Sequence, residues 1–152
     1  MNLRKIKLLF ISLQVLIAYQ VGDTVGIIDQ NKTFEICYNG DGEMKLADYN
    51  GDLNGGHYYI IAIDMSATWC GPCYSLIPYF DDLQQAWSDY DHFIAMVSLS
   101  DLNQPYSCSQ WGNLGDFGVP LIVSDINNEI FSMFNTDSAF PSLVFIDHNM
   151  KV

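Results

Sequence analysis

The middle of the chain alternates between two hydrophobic patterns. Residues 58–65 and 92–99 are nearly continuous apolar runs, which is typical of strands covered on both faces. Between them, residues 74–90 carry apolar side chains at steps of three and four, which predicts one buried helix face: Leu76, Phe80, Leu83, Trp87 and Tyr90. Shorter segments predict two more strands, at residues 120–124 and 142–146. Two more helices are predicted, at residues 104–117 and 128–134. This alternation predicts an α/β fold with a largely parallel core sheet.

The N-terminal third has a different pattern. Residues 25–38 are rich in Val, Ile and Phe, residues 39–42 (NGDG) are a strong turn signal, and residues 43–46 would return as a partner strand. We therefore expect a β-hairpin before the α/β part of the chain. Residues 48–56 are polar and glycine-rich and predict a loop.

The first twenty residues look like a targeting segment. Arg4, Lys5 and Lys7 precede an apolar run that is too short to span a bilayer comfortably and suits the hydrophobic region of a signal peptide. We interpret residues 1–20 as a signal peptide or a membrane anchor, with residues 6–19 as the tether if it is uncleaved. The protein would then be exported, to a periplasm or the cell exterior. Residues 21–152 would form one domain.

Charge narrows the range of partners. The chain has 18 acidic and 6 basic residues, a net charge of -12, and the acidic residues all follow residue 20. Without Arg4, Lys5 and Lys7, three basic residues would remain against 18 acids, a net charge of −15. Nucleic acid is excluded as a partner because its phosphates need a basic surface. An acidic surface favours cationic or neutral partners.

Four cysteines carry the candidate chemistry. Cys70 and Cys73 are separated by two intervening residues and lie between the predicted strand and the predicted helix. At a helix start, free backbone N–H groups and the helix dipole stabilise a thiolate, and a second thiol one turn later can attack a mixed disulfide. Gly71 and Pro72 would allow the tight turn. Half of a zinc site and a purely structural disulfide are the alternatives, and we expect no metal.

The sequence does not decide the bonding state of Cys37 and Cys108. Each is an isolated cysteine, and each is interpreted either as a buried small hydrophobic residue or as half of a disulfide with the other. Neither has the neighbouring Thr or Arg that a peroxide-reducing cysteine would need.

The segment Ala-Thr-Trp-Cys-Gly-Pro-Cys at residues 67–73 resembles the thioredoxin family. Asp64 stands where thioredoxins place a buried acid, and Pro78 matches the proline that kinks the active-site helix. The resemblance implies that Cys70 attacks, that Cys73 resolves the mixed disulfide, and that Asp64 assists catalysis. It further implies a cis proline at 141 beside the cysteines, and a substrate-binding surface formed by five residues: Trp69, Gly71, Pro72, Phe140 and Pro141.

The wider frame is similar to the exported redoxin branch of the thioredoxin-like superfamily, which is related to peroxiredoxins and to cytochrome c maturation proteins. The resemblance implies a central mixed sheet flanked by helices, with the N-terminal hairpin as an extension. Three departures stand out. Tyr74 replaces a basic residue, no lysine on residues 92–99 faces Asp64, and the family's final strand and helix would lie beyond Val152.

These observations predict a thiol–disulfide oxidoreductase that acts on proteins, as a reductase supplied by an upstream electron donor. The Cys70–Cys73 dithiol would carry the electrons, without a bound cofactor. Asp64 should be buried with a raised pKa, since its strand is otherwise apolar and no lysine is available to lower that pKa. The alternatives are a redox-inactive interaction domain and a peroxiredoxin-like peroxidase. The peroxidase is disfavoured because Arg4 is the chain's sole arginine.

Overall fold

The computed structural model describes residues 18–118 and 120–152. Within them a six-stranded sheet forms the centre of the domain. Its strands are β1 (Phe34–Tyr38), β2 (Glu43–Met44), β3 (Ile60–Ala67), β4 (Phe93–Ser100), β5 (Leu121–Ser124) and β6 (Ser142–Ile146). The helices are α1 (Ile27–Gln30), α2 (Gly51–Asn54), α3 (Gly71–Ala86), α4 (Cys108–Gly112) and α5 (Glu129–Phe134), with a 3₁₀ helix at Leu46–Tyr49.

The sheet is mixed, as the resemblance implied. The strand order is β2-β1-β5-β4-β3-β6; β3 runs parallel to β4 and β4 parallel to β5. Strand β6 pairs antiparallel with β3, and β1 pairs antiparallel with both β5 and β2. The parallel strands end at the same edge of the sheet, so the segments that follow β3 and β4 lie side by side there.

Each face of the sheet carries its own apolar layer because successive side chains on a strand point to opposite faces. Ile61, Ile63 and Met65 of β3 pack into one layer, together with α5. Ala62 of the same strand packs into the other, together with α3 and α4. The second layer contains Cys70 and Cys73, so the candidate site belongs to the α3 side of the sheet.

The hairpin and the C-terminal strands agree well with the sequence pattern, and the loops agree less well. The hairpin forms, with Phe34 opposite Met44. Residues 48–56 are not the predicted loop, because the Asn50 side chain accepts the N–H of Asp52 and caps α2. Residues 27–30 form α1 instead of part of a strand. The helix predicted over 104–117 shrinks to the five residues of α4.

No helix among the described residues is long and apolar enough to cross a membrane. The predicted signal peptide or anchor at residues 1–20 lies almost wholly outside the described residues, which begin at Ala18.

Candidate active site

Cys70 occupies the N-cap of α3, and Cys73 lies one turn into the helix. The two are joined by a disulfide with a Cα–Cα distance of 5.2 Å. The Sγ of Cys70 also accepts the backbone N–H of Cys73, with an N–S distance of 3.2 Å. A negatively charged sulfur at this position would be stabilised by that N–H and by the positive end of the helix dipole. The geometry therefore favours Cys70 as the thiolate of the pair.

The local sequence explains why the helix starts here. Strand β3 ends at Ala67, and the backbone N–H of Cys70 donates to the Ala67 carbonyl at 3.0 Å, which closes a tight turn. Pro72 stands in the first helical turn, where its missing N–H costs nothing. Gly71 has no left-handed backbone conformation, and a Cβ added there would meet nothing within 4 Å. The turn therefore forms at Gly71 without a left-handed glycine conformation.

An aromatic rim, formed by Trp69, Phe140 and Phe131, begins at the residue before Cys70. Trp69 is 58% exposed, and its ring meets the edge of the Phe140 ring with the centroids 5.9 Å apart. Phe131 of α5 holds Phe140 from the other side, at 4.2 Å between centroids. The Phe140–Pro141 peptide bond is cis. Trp69, Phe140 and Pro141, which were proposed from separate parts of the sequence, thus flank one surface.

Asp101 orients Trp69, and the sequence analysis missed it. The indole N–H of Trp69 donates to Asp101 Oδ2 at 2.6 Å, and the Thr68 hydroxyl donates to the Asp101 carbonyl. Asp101 directly follows β4, beside the end of β3. The signal that could have identified Asp101 is an acid directly after one parallel strand, beside the strand that leads into the cysteine motif.

Tyr74 packs into a second aromatic group, formed by Trp111 of α4 and by Tyr106 just before that helix. Its ring lies 6.0 Å from Tyr106 and 6.4 Å from Trp111, centroid to centroid, and Trp111 is buried in the α3-side layer. Where the family often has a basic residue, this chain has an aromatic side chain that contributes to packing.

Asp64 is buried on the α3 side of the sheet. It is 1% exposed, and it points to the same face as Ala62, which packs in one layer with Cys73. Burial raises the pKa of Asp64 from 3.8 to about 6, while the hydroxyl of Ser66, donating to Oδ2 at 2.8 Å, lowers it. Oδ1 has no hydrogen-bond partner among the described residues. A base with this pKa can exchange a proton near neutral pH.

Cys37 and Cys108 form a second disulfide, with a Cα–Cα distance of 6.0 Å. This resolves the two interpretations that the sequence left open. The bond joins β1 to the first residue of α4, 71 residues later, and fixes α4 against the sheet. The described residues hold no cluster of His, Cys, Asp or Glu that could bind a metal ion.

Known proteins resemble this chain in sequence and in fold. Chicken (Gallus gallus) thioredoxin is 39% identical over 45 residues, which cover 30% of this chain and 43% of that protein. The chain thus matches less than half the length of this relative. A secreted Mycobacterium tuberculosis disulfide oxidoreductase homologous to E. coli DsbE superposes with a TM-score of 0.62 at 11% identity, covering 83% of each chain.

A second solved structure is similar to the same degree. The exposed lipoprotein thioredoxin Etrx1 of Streptococcus pneumoniae has a TM-score of 0.58 at 18% identity, covering 79% of this chain and 84% of that one. Both structures share the fold, which confirms the predicted thioredoxin-like architecture. The AhpC/TSA family matches residues 27–152. Since that match spans most of the chain, the protein belongs to the AhpC/TSA family.

Proposed function

We propose that this protein is a thiol–disulfide oxidoreductase that reduces disulfides in other proteins. The observation that carries the proposal is the Cys70–Cys73 disulfide at the start of α3, with the Sγ of Cys70 accepting the N–H of Cys73. A disulfide placed where its first sulfur gains from becoming a thiolate is suited to exchange.

The reaction begins with the reduced pair. The Cys70 thiolate attacks one sulfur of a substrate disulfide, and the other substrate sulfur leaves as a thiolate and takes a proton from water. Cys73 then loses its proton and attacks the Cys70 sulfur of the mixed disulfide. The second substrate thiol is released, and the Cys70–Cys73 disulfide remains. An upstream dithiol donor returns two electrons and two protons to the pair, so that no bound cofactor is needed.

Asp64 is the base that we assign to the second step. It lies on the α3 side of the sheet, as Cys73 does, and its Oδ1 is not engaged by another described group. With a pKa of about 6, Asp64 is largely ionised at neutral pH and can take the Cys73 proton, directly or through a water.

The rim supports a protein substrate. Trp69, Phe140 and Pro141 would bind an extended segment next to Cys70, and Gly71 and Pro72 leave the approach open, since both are exposed. The excess of acidic residues favours neutral or cationic substrates over anionic ones. Export, with residues 6–19 as the membrane tether if they are retained, fits the secreted and exposed proteins that share this fold.

The test is reduction of insulin by dithiothreitol with and without the protein, followed by trapping. The protein should accelerate insulin precipitation, and Cys73→Ser should accumulate mixed disulfides on Cys70. A Cys70→Ser variant is the matched control and should trap nothing. If Cys70→Ser traps partners and Cys73→Ser does not, the two roles are reversed.

Two outcomes would replace this proposal. Failure to accelerate insulin reduction would favour a redox-inactive interaction domain. Rapid consumption of hydrogen peroxide would favour a peroxidase, although the described residues contain no arginine to stabilise a peroxide.

A further inference from the structure

A small cavity lies under α3, between the helix and the sheet. Its volume is about 20 Å³, and it is lined by two carboxyl side chains, Asp64 and Asp81, and by apolar groups that include Phe80, Val97 and Trp111. A cavity of this size holds one water molecule, provided that polar atoms face it. The two carboxyl groups are the hydrogen-bond acceptors among its lining side chains.

The carboxyl groups come from different elements, and both are buried. Asp64 lies on β3 and Asp81 on α3, and each is 1% exposed. The Oδ1 of Asp64 is a buried acceptor with no hydrogen-bond partner among the described residues. A buried acceptor left unpaired is costly, which favours a water that donates to it.

Asp81 is fixed at the edge of the cavity by the segment after α4. Its Oδ2 accepts the backbone N–H of Phe117 at 2.6 Å, and a Cβ added to Gly115 would lie 2.7 Å from that oxygen. Asp81 therefore cannot turn out to solvent without moving this segment. Asp82, its neighbour in sequence, is exposed.

Few ionisable groups face Asp64 from the elements packed around it. Helix α3 contributes Cys73 and Asp81, β3 itself contributes the hydroxyl of Ser66, and β4, β5 and α4 contribute apolar groups. Strand β6 places Leu143 opposite Asp64. No lysine, arginine or histidine is among the described residues that line the cavity. Asp81 thus supplies the second carboxyl group that these elements place on the same cavity.

We propose that Asp81 is a positioning residue for the exchange reaction, sharing one buried water with Asp64 and strengthening Asp64 as the base that takes the Cys73 proton. The water donates one hydrogen bond to Asp64 Oδ1 and the other to the Asp81 carboxylate. Two carboxyl groups that share one water ionise together less readily than either does alone, so the Asp81 carboxyl makes Asp64 bind its proton more tightly. This inference rests on the proposed function.

The experiment measures release of the mixed disulfide by stopped flow across pH 5 to 9, in the wild type and in Asp81→Asn. The rate of release should rise with pH as Asp64 ionises. In Asp81→Asn the midpoint should move to lower pH by about half a unit, and the plateau should fall by about twofold, at most about threefold, because Asp64 is a weaker base. Formation of the mixed disulfide should not change.

Controls separate this role from a structural one. Asp82→Asn removes the same charge from the same helix and should leave the midpoint unchanged. In an Asp64→Asn background, Asp81→Asn should produce no shift at all. Asp81→Ser also removes the charge and provides a smaller side chain if Asp81→Asn does not fold. No shift in Asp81→Asn, an equal shift in Asp82→Asn, or a shift that persists without Asp64 would each overturn the proposal.

A second readout does not depend on activity. The Asp64 carboxyl carbon can be titrated by NMR in the oxidised protein, with and without Asp81→Asn. A midpoint lowered by about half a unit supports the shared water even if the wild type reduces no insulin, in which case the proposed function alone fails. An unchanged midpoint overturns the inference and leaves the proposed function intact.

Discussion

The two disulfides of this protein have similar Cα–Cα distances, 5.2 and 6.0 Å, but lie in different structural contexts. Cys70 and Cys73 are three residues apart at the start of one helix, whereas Cys37 and Cys108 are 71 residues apart and join a strand to a helix. Solvent exposure does not identify the bond proposed to exchange, because its Cys70 is only 3% exposed whereas Cys37 of the other bond is partly exposed. What differs is the fate of the sulfur after reduction. A Cys70 thiolate would be stabilised by the Cys73 N–H and by the dipole of α3. Among the described residues, no N–H group donates to the sulfur of Cys37, which lies on a strand.

Loop length makes the same distinction in stability. In the chain-entropy account, closing a loop of about 70 residues stabilises the folded state by about 4 kcal/mol, and closing one of about four residues by about 2 kcal/mol. The long-range bond therefore contributes more to the stability of the fold. Under the proposed function, the short bond would open and close during turnover at a smaller cost in stability.

The largest expected effect is on catalysis. Cys70→Ala/Cys73→Ala should reduce insulin at the uncatalysed rate, because the attacking and resolving sulfurs are both gone. Cys37→Ala/Cys108→Ala should keep activity within about threefold of the wild type, since its sulfurs take no part in exchange. The measurement is insulin precipitation with dithiothreitol at a temperature where both variants are folded. Equal loss in the two variants would show that the second disulfide also takes part in exchange.

The same two variants should rank in the opposite order in stability. Oxidised Cys37→Ala/Cys108→Ala should lose about 4 kcal/mol of the free energy of unfolding, and its Tm should fall by about 10 °C. Oxidised Cys70→Ala/Cys73→Ala should lose about 2 kcal/mol or less. Urea denaturation followed by circular dichroism measures both. Thiol titration of the denatured wild type is the control and should detect no free cysteine.

Asp64 adds a pH dependence to the exchanging side of the molecule. Burial raises its pKa from 3.8 to about 6, so the folded state holds this proton more tightly than the unfolded chain does. Its contribution to stability is fully present below about pH 4 and is lost as the pH rises through 6, which amounts to about 3 kcal/mol. Asp64→Asn cannot ionise and should therefore be more stable than the wild type at pH 7.5, by up to that amount.

The substitution that stabilises the fold, Asp64→Asn, should also slow one step of the exchange reaction. Asp64→Asn should slow release of the mixed disulfide by about tenfold or more and leave its formation nearly unchanged, because Cys70 is activated separately by the helix start. Stopped-flow measurements of both half-reactions across pH test this, beside denaturation curves at pH 4 and 7.5. Equal slowing of both steps, or a stability gain that is the same at both pH values, would reduce Asp64 to a structural residue.

Much of this architecture could be predicted from the sequence, wherever one strong periodic signal decided an element. Strand β6 was predicted at its observed bounds, because Val144 and Ile146 face the core between clear turns. Strand β3 was predicted two residues early. Tyr58 looks like strand, yet its hydroxyl donates to Asp52 and its ring packs on Gly51, so it belongs to the loop with α2.

The rest depends on contacts between distant segments, which periodicity does not report. Asp81 and Asp82 are equivalent in sequence, and only the segment around Phe117 buries one and not the other. The pairing of Cys37 with Cys108 likewise needs β1 and α4 to meet, and neither residue carries a local signal for it. Cys70, Cys73 and Asp64 were recognisable because their signal is local: a motif at a strand–helix junction and one acid in an apolar strand.

The smallest expected effects come from two glycines, one beside each disulfide. Gly71 lies between the exchanging cysteines, and a Cβ added there meets nothing within 4 Å; at Gly112, in α4, it would lie 2.4 Å from the ring of Tyr38. Tyr38 follows Cys37 on β1, so Gly112 allows the close approach that the long-range disulfide requires. Gly112→Ala should therefore cost about 1–3 kcal/mol, because the ring or the helix must move.

Gly71→Ala should change the free energy of unfolding by less than about 0.5 kcal/mol, as a surface substitution away from close contacts does. Urea denaturation of both variants measures the difference, and insulin reduction by Gly71→Ala is the accompanying readout. Because the start of α3 closes the Cys70–Cys73 turn without help from a glycine conformation, this variant should keep its exchange activity within about twofold. A large stability loss in Gly71→Ala, or none in Gly112→Ala, would contradict the contrast between a freely exchanging disulfide and one built into close packing.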